Sequence, residues 1–189
     1  METFRTVTAH LRSNSPYSPS YFLQSIKNDG ETDREFEMRV FRERIHHDGA
    51  GHVVIPANQF STALKKAASY LNLKIPGERN RTFTKHFDSG VRVDGPLVLP
   101  DLVAEVEGEW LMLHSQPGSV AQTKVQKCMP KIPAWAGEVR FIVLDPKITK
   151  DVFREVLVFS GSQIGVGRWR PERKGEYGRF SIESFEWKE

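Results

Sequence analysis

Two stretches of this chain repeat apolar residues at intervals of three and four, and that spacing commits each of them to a helix with one buried side. In NQFSTALKKAASYLNL the stripe is Phe60, Ala63, Leu64, Ala67 and Leu71, with Lys65, Lys66 and Ser69 off it. Pro56 closes the segment before it, and Asn58 offers a side-chain cap. In TKDVFREVLVFSG the stripe is Val152, Phe153, Val156, Leu157 and Ser160. Thr149 can cap this second helix, Asp151 lies in the first turn where the helix dipole favours a carboxylate, and Gly161 suits the C-terminal cap.

Strand signals surround both helices. FRTVTAHL, residues 4 to 11, alternates β-branched and aromatic residues with others and predicts an opening strand. SNSPYSPS, with two prolines, predicts a loop over 13 to 20. In REFEMRVFRERIHH, Phe36, Met38 and Val40 alternate with charged residues and predict a half-buried strand, from which DGAG turns back into HVVI as a hairpin. Residues 74 to 100 carry turn signals and predict an irregular excursion, VAEVEGEWLML predicts a hairpin turning at Glu107 and Gly108, and SQPGSVAQTKVQK predicts a flexible polar connection. WAGEVRFIVLD predicts a central strand and GRFSIESFEW the closing one. The expected fold class is α+β: an antiparallel sheet with two helices on one face, inserted β-hairpins, and the other face open to a ligand. We expect a single domain over residues 1–189 with a β excursion at about 74–130.

Composition narrows the function classes. The chain has 189 residues, 39% hydrophobic and 27% charged, and no run nears the roughly 18 apolar residues of a membrane span. With no apolar leader at its N-terminus and one cysteine, Cys128, it is expected in the reducing cytoplasm. The net charge is only +3, so the distribution of charge carries the argument. Arg79, Arg81, Lys85 and His86 cluster in RNRTFTKH, while Arg168, Arg170, Arg173, Lys174 and Arg179 crowd the segment between the second helix and the last strand. That segment, IGVGRWRPERKGEYGRF, also holds Gly165, Gly167, Trp169 and Tyr177. Its glycines follow a helix and precede a strand, the reverse of a dinucleotide fingerprint, and no phosphate-loop GxxxxGK[ST] occurs. Glycines for close backbone approach, cations for phosphates and aromatic faces for bases together predict a site for single-stranded nucleic acid.

Other chemistry is thinner. His46 and His47 are the weak candidates for general acid–base catalysis, beside His52 and His86, but no spacing fixes a constellation around them. HHxxxxH lacks the further ligands of a metal site, Cys128 has no activating partner in sequence, and no cofactor is expected.

A strand and helix core with a glycine-rich loop before its last strand, IGVGRWRPERKGEYGRF, resembles the RAMP superfamily of CRISPR backbone subunits and crRNA-processing endoribonucleases, and VVIPANQFSTALKKAA is similar to the proline-led first helix of many members. The resemblance covers roughly residues 35 to 72 and 132 to 187. More closely, FRERIHHDGAGHVVIPANQFSTALKKAA and the glycine segment resemble short proteins of phages and mobile elements. The resemblance implies a ferredoxin-like (modified RRM) fold, sequence-independent binding of RNA, assembly of repeated subunits into a CRISPR-like complex or homo-oligomer, and a β excursion that clasps the strand. It leaves two alternatives open: a phage product that mimics a backbone subunit and inhibits host effectors, and a metal-independent endoribonuclease.

Overall fold

Alternation places Val7, Ala9 and Leu11 on one face of the first strand, and all three are fully buried. The computed structural model describes residues 4–114 and 124–189. In chain order its elements are β1 (Arg5–Ser13), α1 (Asp33–Val40), β2 (His52–Ile55), α2 (Ala57–Leu71), α3 (Thr84–Gly90), β3 (Val91–Val93), β4 (Leu97–Leu102), β5 (Glu107–His114), β6 (Lys124–Lys131), β7 (Ala136–Val143), α4 (Lys150–Phe159) and β8 (Phe180–Lys188). Short 3-10 turns lie at Phe41–Arg44, Val103–Glu105 and Pro171–Arg173, and a π turn at Ser160–Ile164 extends α4. The main sheet is antiparallel throughout, in the order β3-β7-β1-β8, and two smaller antiparallel pairs, β2 with β4 and β5 with β6, stand beside it. The chain is thus a mixed α+β fold built on antiparallel sheets.

Both amphipathic stripes face this sheet. Phe60, Ala63, Leu64 and Ala67 of α2 and Phe153, Val156 and Leu157 of α4 are buried against Val7, Ala9, Leu11, Val139, Phe141 and Val143. Phe153 sits at the centre, its ring 5.4 Å from Phe141, 6.1 Å from Phe87 and from Trp187, and 6.2 Å from Phe185, so one side chain joins α3, α4, β7 and β8. On β8 the inward alternation steps from Ile182 to Phe185 because a bulge opposite His10 and Leu11 inserts one residue. Glu183 is that residue, and it pairs on the open face with His10 at 2.9 Å and with Arg12.

Several expectations need correction. REFEMRVFRERI is not a strand but α1 and its 3-10 extension. Thr32 and Glu35 form a reciprocal capping box at its start, and burial follows Glu37, Val40, Phe41 and Arg44 at helical spacing while Met38 is exposed. Counting only apolar residues hid that period, because two of the four buried positions are charged. The hairpin turn at Asp48–Gly51 does form, bridged between His47 and Val53. Pro56 rather than Asn58 precedes the first turn of α2, and Gly165 rather than Gly161 ends the second helix. The stretch from 74 enters the core before leaving it, since Phe83 and Phe87 are buried and β3 is an edge of the main sheet. No turn occurs at Glu107 and Gly108, which run straight into β5. Of the expected polar connection, residues 115–123 lie outside the described residues and Lys124–Lys127 belong to β6.

Glu37 is 1% exposed and ties α1 to the β5–β6 pair. Its carboxylate accepts from Arg44 at 3.1 Å, from Lys127 at 2.6 Å and from the Cys128 backbone N–H at 3.3 Å, while Arg44 also donates to the Cys128 carbonyl. Removing one partner of a buried pair strands the other charge. Glu37→Ala is therefore expected to cost about 3 kcal/mol, read as a lower urea midpoint at an unchanged slope.

Candidate nucleic-acid interface

The segment that joins α4 to β8 is two backbone arms laid side by side. Gly165, at φ 74°, reverses the chain after the π turn and donates its N–H to the Ser160 carbonyl at 2.8 Å. The Val166 N–H then bonds the Gly178 carbonyl at 3.0 Å, and the Tyr177 N–H bonds the Trp169 carbonyl at 2.9 Å. The pair is stitched to the loop after β1, with the Arg168 N–H on Ser18 O, the Gly178 N–H on Pro16 O and the Arg179 N–H on Ser15 Oγ, at 2.7 to 3.0 Å. A Cβ on Gly178 would strike the Val166 carbonyl, and one on Gly167 would strike Tyr17 and Ser18. These glycines allow protein backbone to touch protein backbone. The N–H groups of Gly165 and Gly178 are both spent on protein carbonyls.

The loop lies beside the helix layer rather than across the open face of the sheet. Gly165, Gly167 and Arg170 share a small cavity with Asn58, Gln59 and Thr62 of α2, and Lys66 reaches Glu172 at 2.5 Å. On the open face, the paired residues Thr6, Thr8, His10, Arg92, Glu138, Arg140, Ile142, Ser184 and Glu186 include no Phe, Tyr or Trp on which a base could stack. Trp169 and Tyr177 instead meet edge to face at 5.9 Å within the loop, both half-buried. Tyr177 donates to Glu109 Oε2 at 2.6 Å, and Lys131 reaches the other Glu109 oxygen at 2.8 Å, which joins the loop to β5 and β6. Burial and the adjacent carboxylate push the Tyr177 phenol up.

The cations are not equivalent. Glu172, only 12% exposed, gathers Lys66, Arg170 at 3.0 Å and Arg173 at 3.4 Å, and Arg170 donates also to the Gly167 carbonyl. Arg179 is held by the Ser162 carbonyl and by Glu176 at 3.4 Å. Arg168 is half-buried over the Trp169 ring, held below the usual guanidinium value first by burial and then by nearby Arg44, and its buried Nε has no hydrogen-bond partner among the described residues. Arg173, with 68% of its side chain exposed, and Lys174, in a left-handed turn at φ 61°, reach outward.

The second cluster stands elsewhere. Arg79, Arg81 and Lys85 are exposed, with Arg81 on Glu78 at 3.2 Å. Glu78 also meets Lys147 just before α4, whereas the glycine loop lies at the opposite end of α2, a 15-residue helix about 22 Å long. The structure therefore does not join the two clusters into one patch. His86 is engaged by Asp145 at 2.6 Å. His46 and His47 line a cavity of about 680 Å3, in which His46 is held below the usual imidazole value by burial and the Tyr21 ring stands 4.9 Å away. His47 Nδ1 lies 2.8 Å from the Asp48 carbonyl, and His52 pairs with the Asp48 carboxylate at 3.2 Å. Among the described residues no three His, Cys, Asp or Glu side chains converge on a metal position, and no helix is long and apolar enough to cross a membrane.

No family model and no curated protein matches this sequence. Solved structures do. A chain of the Type III-B Cmr-beta complex bound to cognate target RNA superposes at a TM-score of 0.55 over 98% of this chain, at 11% identity; this chain spans 61% of its length. Cmr6 from Pyrococcus furiosus gives a TM-score of 0.47 and 12% identity over 96% of this chain and 100% of its own. At such identity the first likeness is one of fold: the chain shares its fold with that component of the Cmr-beta complex.

Sequence reasoning overlooked Glu172, Glu109, Asp145 and Tyr21. The first carried a visible signal, because an acid amid WRPERKGE is placed to neutralise its neighbours; the other three come from distant segments and had none. Burial opposes ionisation of Glu172, yet Lys66, Arg170 and Arg173 hold its carboxyl below the ordinary range. A depressed carboxyl contributes stability that is complete above the unfolded value, about 4.3, and is lost as pH falls through the folded value. The melting temperature of Glu172→Gln is accordingly expected to fall short of the parent at pH 7, with the gap closing below about pH 4.

Proposed function

We propose that this chain is a single RAMP-like domain with a ferredoxin-like core that binds single-stranded RNA without cutting it, as one subunit of a CRISPR-like nucleoprotein assembly. The observation that carries the reading is its fold likeness, over nearly the whole chain, to a component of a complex bound to target RNA. The sheet order β3-β7-β1-β8, with α2 and α4 in the two crossovers, supports the ferredoxin-like description. The loop beside α2 supplies the contact surface: Arg173 and Lys174 reach solvent, Trp169 and Tyr177 offer half-covered rings, and Arg168 adds its charge over the Trp169 ring. Gly165 and Gly167 shape that surface, and Arg170 and Arg179 brace it. Arg79, Arg81 and Lys85 serve a separate backbone contact beyond the far end of α2.

Phosphate contacts release counterions, so affinity should fall steeply with salt. In fluorescence anisotropy with a labelled single strand of RNA, the double variant Arg173→Glu, Lys174→Glu is expected to bind at least tenfold more weakly and with a shallower salt slope. Binding that ignores salt, or a double variant indistinguishable from the parent, would reject this reading. Light scattering with and without the strand reads whether copies assemble along it.

A further inference from the structure

The largest of the described cavities is not in the glycine loop but next to it. The small cavity that Gly167 and Arg170 share with α2 is bounded by Ser20, Asn58 and Gln59. The cavity of about 680 Å3 begins at the very next residues, Tyr21 and Ala57, so the two hollows adjoin across the start of α2. The larger one has an apolar floor, Ile45, Val54 and Val103, and one aromatic corner, where the Tyr21 and His46 rings meet at 70°. Burial keeps His46 below the ordinary imidazole value, so this corner is an uncharged wall near neutral pH. Arg42, an exposed residue at the rim beside Glu43, rests its guanidinium 4.4 Å over the Phe41 ring.

We infer that this cavity takes one unstacked nucleobase of the strand that the glycine loop holds, with Tyr21 as its stacking platform and Arg42 on the adjoining phosphate. The inference rests on the loop being a strand-binding surface, as proposed above. A flat, weakly polar ring fits an apolar floor with an aromatic wall, and a cation at the rim suits the charge that such a ring carries behind it in a nucleic acid. Tyr21 is 47% exposed, so its removal leaves the core intact.

The test is a cycle of two proteins and two ligands, read by anisotropy at about 20 mM salt, where backbone contacts are strong. The ligands are an RNA strand of about 12 nucleotides and an abasic strand of the same length. Tyr21→Ala should weaken the intact strand about tenfold, as for one lost base stack, and leave the abasic strand within about twofold. Tyr21→Phe, which keeps the ring, should bind as the parent does. Equal weakening on both strands, or none on the intact one, overturns the base pocket and leaves the loop reading standing. Failure of the parent to bind either strand overturns both.

Discussion

The hydrogen bond from the Val166 N–H to the Gly178 carbonyl sets the geometry on which the candidate interface depends. It brings two arms of the last loop into backbone contact, a distance only glycine permits at that point. The turn between the arms carries Glu172 inward and Arg173 and Lys174 outward, and it sets the rings of Trp169 and Tyr177 against each other. Trp169 adopts φ 51°, a left-handed conformation that a bulky residue takes only when its surroundings impose it. The loop is thus a preformed surface and not a slack tether.

That surface is also anchored at a distance. Tyr177 reaches β5 through Glu109, Lys131 bridges the same carboxylate from β6, and the pair of strands is tied in turn to α1 through Glu37. Any ligand that displaces Tyr177 must loosen its bond to Glu109, which couples the loop to the β5–β6 pair. Within the core, Phe153 plays the corresponding part for the sheet and the helices.

Legibility followed the kind of pattern each element carries. The helices α2 and α4 were readable because their buried positions are apolar, β1 because its buried positions alternate, and β7 because Val139 to Leu144 is apolar but for Arg140. α1 was misread because its inner face includes Glu37 and Arg44, two charges that satisfy each other only after β6 arrives. In β8 the alternation broke at Glu183, where the bulge shifts the inward phase by one residue. In the loop, the residue types were visible, but their partners were not. Arg170 and Arg173 look alike in sequence and both reach Glu172, yet Arg170 is also braced against the Gly167 carbonyl while Arg173 keeps most of its side chain in water.

The sequence by itself determined an α+β chain with two helices of one-sided apolarity, a glycine-rich cationic segment before the last strand, and no local motif for nucleotide or metal. Those are properties of neighbours in the chain, set by side-chain period and backbone permission. Only the tertiary structure decided how far each cation is committed to a carboxylate, that the segment packs beside α2 instead of over the sheet, and that Tyr21, His46 and Arg42 line one hollow. Charge pairing and concavity depend on residues tens of positions apart, and no local pattern encodes the distance between them.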